Sequence, residues 1–439
     1  MTAKNYFIFI YRKYLARFLF FRFIRAITLA VYRVSYRLCS LVEHMPQSNS
    51  YQLRALSNCS DDLIVKKITL NNGKIINIPP PTFTGYCAEA AIKINTEIKI
   101  DEPALEVFQF SGAMVVGGVD FIFIGDTAIH HNLFEPTRHS CPAESVGVVS
   151  ISQVKTKLSL YLTKKPKNLA MAVSMIGQCS GNYAHWLTET LPKLAVLDAC
   201  GECSDLPLLV DDGLHPNIYA SLDLINRNHR EVVKVKRWEP VVLSKLVTIS
   251  NPGYERYVPH GLYSKEAPAY VNTFSRTALW MLRDVAINDL EGTPRFGAKR
   301  IYLARSQKSG NIRQLENLIA IESAITAKGI RLIAPDSMSF EEQVAACADA
   351  EIIVAPIGAS LANMIFAPPG CKVIVLAPYY EEASYFYYSN LAGVLGHELH
   401  YVLGPQMNAR QHPICRNYCI DVGILIATLE KVSVRAYKD

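Results

Sequence analysis

A histidine and a carboxylate stand four residues apart in the stretch GNYAHWLTETLPKL, residues 181–194. Residues at positions i and i+4 lie on one face of a helix, so His185 and Glu189 can contact each other. Either side chain can act as a general base when it is held close to the hydroxyl group that it deprotonates. A hydrogen bond that only holds the helix together is the alternative, and the pattern leaves both open.

Basic residues and a glycine mark two predicted strand ends in the last third of the chain. Arg305, Lys308 and Arg313 lie in YLARSQKSGNIR, and VAPIGASLAN places residues 358–360 (Gly, Ala, Ser) where a strand meets a helix. Helix N-termini present amide groups to anions, and guanidinium groups bind phosphate oxygens. Together the two stretches predict a diphosphate site, although each alone also fits simple packing or a solvated rim.

The order of predicted elements places both sets of residues at strand ends. Short strands separated by Gly, Pro and Asn cover residues 62–165. From residue 168 strands alternate with helices, predicted over 183–199, 215–226, 267–289, 313–328 and 383–395, which is typical of parallel sheets covered on both faces. A further helix begins at the capping box of Ser339 and Glu342. Ligands of such sheets bind at the carboxyl ends of the strands.

The first 42 residues are basic and aromatic. They hold eight Lys and Arg residues and no acidic residue, which leaves 37 basic against 39 acidic residues elsewhere. A membrane span needs about 20 apolar residues, and cations interrupt this segment too often. We therefore expect an arm, residues 1–44, that lies in the membrane interface on anionic lipids. A basic helix packed on the body, or a disordered tail, is the alternative, and the near-neutral body disfavours a nucleic-acid partner.

The eleven cysteines come without a clear secretory signal, which predicts reduced thiols in a cytosol. CGEC at 200–203 and CRNYC at 415–419 could together ligate zinc, but only the first has the usual two-residue spacing. Inert thiols are the favoured interpretation, and we predict no metal site.

Several motifs agree, in type and order, with one family. KRIYLARS, RQLEN and SMSFEEQVAACADAEIIVAPIGASLANMIFAPPG follow one another between residues 299 and 370. They resemble the C-terminal motif series of glycosyltransferase family 61, and NYAHWLTETLPKL resembles the NYxHWLxExLP stretch of the same family. The resemblance runs from about residue 168 to 405.

The resemblance implies a GT-B fold, in which two Rossmann-like doubly wound α/β domains face a cleft, here preceded by a β-rich part and the arm. It also implies nucleotide-sugar donors and transfer with inversion at the anomeric carbon. With EGTPRFGAK, residues 291–299, as the interdomain connection, we expect an acceptor-side domain at 45–290 and a nucleotide-sugar-binding domain at 291–439. On the acceptor side we expect one of His185 and Glu189 to deprotonate the acceptor while the other orients it. Asn182 and Trp186 are the other acceptor-side candidates, and Trp186 either packs nearby or stacks on the sugar. The implied donor-binding residues are Arg305, Lys308, Arg313, Gly358, Ala359, Ser360 and Asn363.

Three positions depart from the family pattern. Ile357 stands where the family has His, Glu316 and Asn317 appear in reversed order, and Val375 replaces a frequent Glu. A catalytically degenerate member, serving as a sugar-binding or scaffold subunit of a polysaccharide-assembly complex, is therefore the alternative to an enzyme.

The function predicted from the sequence is an inverting glycosyltransferase that moves a sugar from a nucleotide sugar to a glycan or lipid-linked acceptor. The expected setting is capsule or lipopolysaccharide synthesis in a bacterium, on the cytoplasmic face of the cell membrane. No metal cofactor is expected, because the chain has no Asp-X-Asp, the motif that commonly holds a nucleotide diphosphate through a divalent cation. An NAD-dependent oxidoreductase is disfavoured because no GxGxxG follows a strand.

Overall fold

The computed structural model describes residues 50–435 apart from 60–62, 95–96, 140–147, 153, 155, 163, 202, 256–271, 291–295, 306–312, 382 and 408–412. The predicted arm, residues 1–44, lies outside these ranges. Within them, no helix has the length and apolarity that a membrane crossing requires.

The elements of secondary structure are numbered here in chain order. The first ten strands are β1 Ser50–Ala55, β2 Ile64–Asn71, β3 Ile75–Ile78, β4 Thr82–Gly85, β5 Ile98–Asp101, β6 Leu105–Val116, β7 Val119–Ile124, β8 Thr127–His130, β9 Val149–Ile151 and β10 Lys157–Leu160. The others are β11 Lys167–Ser174, β12 Leu208–Asp211, β13 Val232–Val235, β14 Pro240–Ile249, β15 Gly253–Glu255, β16 Asn272–Phe274, β17 Arg300–Leu303, β18 Arg331–Ile333, β19 Ile352–Pro356, β20 Lys372–Pro378 and β21 Glu398–Gly404. The α-helices are α1 Ala88–Ile94, α2 Tyr183–His185, α3 Leu191–Ala199, α4 Pro216–Ile225, α5 Arg276–Asn288, α6 Leu318–Ala327, α7 Phe340–Ala348, α8 Phe386–Leu395 and α9 Val422–Arg435.

The chain divides into two compact units, each of which is described by itself. The first unit comprises the described residues of 50–76 and 101–286. The second unit comprises those of 77–100 and 287–435. The mixed α/β class that the sequence predicts is confirmed in both.

The first unit contains an eleven-stranded sheet in the order β13-β12-β11-β14-β6-β7-β8-β1-β10-β9, with β2 paired to β6. Strands β11 to β14 are mutually parallel, as the alternation of strands and helices predicts. The sheet then becomes antiparallel from β14 through β6, β7 and β8. Gly117 and Gly118 form the two-residue turn between β6 and β7, and the positive φ of Gly118 is a conformation that favours glycine. This sheet is therefore not wholly of the parallel, doubly wound type that the resemblance implies.

The second unit contains a six-stranded parallel sheet in the order β18-β17-β19-β20-β21-β4. Its first five strands follow the 2-1-3-4-5 order of a doubly wound fold, in which the connection direction reverses between β17 and β19. The edge strand β4 comes from residues that the sequence-based boundary at 290 assigns to the other domain. Its Phe83 stacks on Tyr401 at 5.2 Å between ring centroids, so β4 completes this aromatic core.

Tertiary contacts shorten several predicted helices at their N-terminal ends. The helix predicted from residue 267 begins at Arg276, after strand β16, because Ser275 caps it by accepting a hydrogen bond from the amide of Ala278. The helix predicted from 313 begins at Leu318, since residues before it pair with the chain near Tyr418. The capping box of Ser339 and Glu342 is confirmed.

Candidate active site

The first candidate site lies at the carboxyl ends of β11 and β14. The chain proceeds from β11 to β12 and β13 on one side and then returns to β14 on the other, so the strand order reverses between β11 and β14. Open α/β sheets bind their ligands at such a reversal. His185 and Glu189 follow β11, and Glu255 follows β14, so both segments reach this edge.

The helix that carries His185 and Glu189 contains a π turn, Trp186–Thr190, between α2 and α3. The amide of Leu191 donates to the carbonyl of Trp186, five residues earlier. Pro192 follows immediately, and a proline in an α-helix has no N–H to offer and clashes with the carbonyl four residues before it. The wider π turn accommodates this proline, and π turns occur frequently at functional sites.

Gly253 allows strand β15 to approach the π turn closely. A Cβ atom at this position would lie 2.6 Å from the carbonyl oxygen of Thr188, so any larger residue would push the strand away. Because β15 ends at Glu255, this close approach brings the Glu255 carboxylate to His185.

His185 lies between two carboxylates. Its Nδ1 is 2.7 Å from Oε1 of Glu189, and its Nε2 is 3.0 Å from Oε2 of Glu255. The amide of Glu255 also donates to Oε1 of Glu189 at 3.2 Å. The exposed fractions of the side chains rise from 8% for His185 through 16% for Glu189 to 29% for Glu255. The sequence identifies the first two residues, whereas Glu255 carries no motif that would have revealed it.

The surroundings of His185 favour its charged form. Burial alone would lower its pKa, but the charge of Glu189 and hydrogen bonds to Glu189 and Glu255 raise the pKa well above the ordinary value. Burial raises the pKa of Glu189, an effect that the neighbouring imidazolium opposes. The arrangement therefore favours a proton on both ring nitrogens of His185, each of which lies within hydrogen-bonding distance of a Glu side chain.

A buried lysine lies behind Glu189. Lys193 is 4% exposed, and burial lowers its pKa although the charges of Asp120 and Glu189 oppose that shift. Asp120 accepts a hydrogen bond from the side chain of Asn251 at 3.0 Å. Glu189, Lys193, Asp120 and Asn251 share the lining of a cavity of about 10 Å³. Sequence reasoning missed Lys193 and Asp120, because nothing local marks them as partners.

Asp211 holds the segment that leads from β11 to His185. Its carboxylate accepts hydrogen bonds from the amides of Gly177 and Gly118 and from the hydroxyl of Ser180. Burial raises the pKa of Asp211 to about 6, which these hydrogen bonds partly offset. The carboxylate thereby fixes the backbone immediately before α2.

The two predicted acceptor-side residues occupy different environments. Asn182 is exposed and caps α2, accepting a hydrogen bond from the amide of Ala184. Trp186 is fully buried, and its Nε1 donates to Oγ of Ser221 at 2.8 Å. Trp186 therefore presents no surface on which a sugar could stack, and in the structure it packs in the core.

Trp186→Ala is expected to lower the free energy of unfolding by about 3–5 kcal/mol, because it removes a large, fully buried side chain. Chemical denaturation measures this loss. The matched control is Trp280→Ala in the same unit, where the side chain is 38% exposed, and there the change should be small. Equal stability losses in the two variants would contradict the core assignment of Trp186.

The second candidate site lies in the second unit, at the reversal between β17 and β19. Arg305 follows β17, and its Nη1 donates to the carbonyl of Ile357 at 3.1 Å. Burial lowers the pKa of Arg305, and the charge of nearby Arg313 lowers it further. The Nε of Arg313 is buried and has no hydrogen-bond partner within the described part of the chain. Among the described residues, neither guanidinium forms a salt bridge.

Residues 358–360 follow β19 and form the other side of this site. The segment Ala359–Phe366 is a 3₁₀-helix, where the sequence predicted the start of an α-helix. Its first amides, at Ala359 and Ser360, have no acceptor within the helix. A Cβ at Gly358 would lie 3.4 Å from Nη1 of Arg305, so this backbone and the guanidinium are close neighbours. The hydroxyl of Tyr388 donates to the Gly358 carbonyl at 2.6 Å. Lys308 lies outside the described residues.

Asn363 is remote from solvent. It is fully buried and donates from Nδ2 to Oε1 of Gln343 at 3.0 Å. The hydrogen bond joins two segments of the motif series, SFEEQ and SLAN. In the structure Asn363 therefore orients the 3₁₀-helix and has no surface for a donor.

The three departures from the family pattern also have defined positions. Asn317 bonds both the amide and the carbonyl of Ile420, and Glu316 accepts a hydrogen bond from Asn417. The reversed pair thus binds the chain before α9. Val375 is fully buried in β20, and the carbonyl of Ile357 accepts the hydrogen bond of Arg305.

The two cysteine pairs that could ligate zinc belong to different units. Cys200 and Cys203 lie in the first unit and Cys415 and Cys419 in the second, and none of the four forms a disulfide with another described residue. No group of three or more His, Cys, Asp or Glu side chains in the described part of the chain is arranged to hold a metal ion.

The fold and the two sites define an α/β protein with a His–Glu cluster in one unit and two interacting arginines in the other. Residues 183–374 match the family model described as glycosyltransferase 61. The match supports assignment to this family, and with it a glycosyltransferase activity that acts on a sugar donor and an acceptor. It contains His185, Glu189, Glu255 and both arginines. No curated protein matches the chain.

Proposed function

We propose that the protein is an inverting glycosyltransferase of the GT-B type, which transfers a sugar from a nucleotide sugar to a hydroxyl group of a glycan or lipid-linked acceptor. The observation that carries the proposal is the pair of guanidinium groups, Arg305 and Arg313, at the strand-order reversal of the second unit. The leaving group of such a donor is a diphosphate, which two cations and the amides of residues 358–360 suit.

The cluster of His185, Glu189 and Glu255 is the proposed acceptor side. Direct displacement with inversion needs one base next to the acceptor hydroxyl, and carboxylates and imidazole are the side chains that serve most often. In the GT-B arrangement that the resemblance implies, donor and acceptor meet between two α/β domains.

Catalysis without a metal ion is part of the proposal. It is supported by the absence of Asp-X-Asp from the sequence and by the two guanidinium groups, which can balance the charge of the departing diphosphate. Binding and turnover should then survive a chelator.

The test is a panel of UDP- and GDP-sugars offered to the full-length protein with and without EDTA. A ligand that binds only the folded state raises the melting temperature, and an active enzyme also releases UDP or GDP. Nucleotide binding without release or transfer would favour the degenerate, sugar-binding member of the family. Activity that disappears with EDTA and returns with manganese would contradict the metal-free mechanism.

We further propose that residues 1–42 anchor the enzyme to the cytoplasmic face of a bacterial membrane, where it extends capsule or lipopolysaccharide. The eight cations and absent acids of this segment support the proposal. Deleting residues 1–42 should abolish binding to vesicles containing phosphatidylglycerol, and high salt should weaken the binding of the full chain. Equal sedimentation of both proteins with the vesicles would contradict the anchor.

A further inference from the structure

Five ionisable side chains of the first unit form a row of alternating charge. Asp120 interacts with Lys193, Lys193 interacts with Glu189, and Glu189 contacts His185, which contacts Glu255. With His185 protonated, the row holds three carboxylates and two cations. The net charge is therefore −1, and Asp120 and Glu255 are the carboxylates at its two ends.

Glu255 is the most exposed side chain of this row. The exposed fraction of its side chain is 29%, against 18% for Asp120, 16% for Glu189 and 8% for His185. An acceptor that arrives from solvent therefore meets Glu255 first. Glu189 lies between two cations, Lys193 and His185, whereas Glu255 contacts only His185, so Glu255 is the less compensated of the two carboxylates beside His185.

The two carboxylates beside His185 differ in the hydrogen bonds that they accept. Oε1 of Glu189 accepts from both His185 and the Glu255 amide, and its carboxylate also faces Lys193. Oε2 of Glu255 contacts His185, while its Oε1 has no hydrogen-bond partner among the described residues. Within the described ranges, Glu255 thus keeps one carboxylate oxygen without a hydrogen bond at the most exposed position of the row.

We propose that Glu255 is the base that deprotonates the acceptor hydroxyl, and that His185 is a positioning residue held as an imidazolium between Glu189 and Glu255. The assignment rests on the proposed glycosyltransferase function. Oε1 of Glu255 takes the hydroxyl proton as the acceptor oxygen bonds to the anomeric carbon. The bond from that carbon to the diphosphate oxygen breaks, its electron pair leaves with the nucleoside diphosphate, and Glu255 later returns the proton to solvent.

The test measures nucleotide release from UDP- and GDP-sugars by the full chain, with water as acceptor if no other is known. Glu255→Ala is expected to lower turnover by about 10²–10⁴, the contribution of a general base. Added formate should raise the turnover of Glu255→Ala by at least about tenfold, because a small carboxylate can enter the exposed site and accept the proton. Glu189→Ala should lose turnover without rescue, because its side chain is enclosed.

The matched control is Glu239→Ala. Glu239 is also a partly buried carboxylate of the first unit paired with a cation, Lys167 at 3.0 Å, but it precedes β14 whereas Glu255 follows it. Turnover of this variant should equal that of the wild type. A Glu255→Ala enzyme that retains wild-type turnover, or that formate does not rescue, overturns the assignment of the base. A wild type that releases no nucleotide from any donor instead overturns the proposed function.

The role of His185 has a separate readout that needs no substrate. Ring ¹⁵N shifts, assigned by comparison with His185→Gln, should show a proton on both nitrogens of His185 at pH 7.5. A neutral ring would overturn the positioning role, because a neutral imidazole could itself serve as the base.

Discussion

Replacing His185 by alanine is expected to lower turnover by about 10²–10⁴, the range for loss of acid–base catalysis. Without the imidazolium, Glu189 and Glu255 become two neighbouring carboxylates, and one of them must take up a proton. A carboxyl group that already carries a proton cannot deprotonate the acceptor hydroxyl. Glu189→Gln should have an effect of the same order, since it removes the carboxylate that orients the ring at 2.7 Å.

The affinity for UDP or GDP should be unchanged in both variants. The proposed diphosphate site is formed by residues of the second unit, whereas His185 and Glu189 belong to the first unit. Melting temperature, nucleotide affinity and turnover are measured on the same preparations, with the exposed Glu231→Gln as control. If both variants turn over normally once the folded fraction is taken into account, His185 and Glu189 only stabilise the helix.

The stability lost on replacing His185 should depend on pH with a defined sign. The folded-state pKa of His185 is raised above its unfolded value, mainly because Glu189 and Glu255 outweigh the opposing effect of burial. The protonated ring therefore contributes its full stabilisation below the unfolded pKa of about 6.5. That contribution disappears as the pH rises through the folded pKa, so the difference from wild type should shrink in alkaline solution.

Arg305→Ala is expected to weaken binding of UDP or GDP by about 1.5–3 kcal/mol, the range for a hydrogen bond to a charged group. The corresponding loss of affinity is roughly 10- to 150-fold. Arg313→Gln should weaken binding similarly while leaving the melting temperature of the free protein unchanged or higher. The reason is that Arg313 opposes the charge of Arg305 when no anion is bound.

Isothermal titration with UDP and GDP measures these affinities. Arg331→Ala is the matched control, because Arg331 is an exposed arginine of the same unit that packs on Phe296. Wild-type affinity in Arg305→Ala would remove Arg305 from the diphosphate site. If Arg305→Ala lowers the affinity for UDP and GDP only as far as it lowers the stability of the fold, the role of Arg305 is to hold the Ile357 carbonyl.

Local spacing in the sequence was enough to predict part of this architecture. The four-residue separation of His185 and Glu189 predicted their contact, because neighbouring turns of a helix bring such residues together. The Ser339 capping box followed in the same way from a pattern only a few residues long, whereas the parallel strands β11 to β14 followed from the alternation of strands and helices after residue 168. The motif series also indicated the family, which the match over residues 183–374 supports.

Other features depended on the tertiary structure, because the partners are far apart in the chain. The Glu255 amide bonds Glu189 across 66 positions, and only the pairing of strands places it there. The sequence left open whether Trp186 packs beside the His–Glu pair or stacks on a sugar, and only the tertiary structure shows that its indole is buried and donates to Ser221. Similarly, β4 joins the second unit because its backbone pairs with β21 and Phe83 packs on Tyr401. Hydrophobic periodicity specifies which face of an element is buried, whereas the identity of the element that covers it is decided only when the whole chain packs.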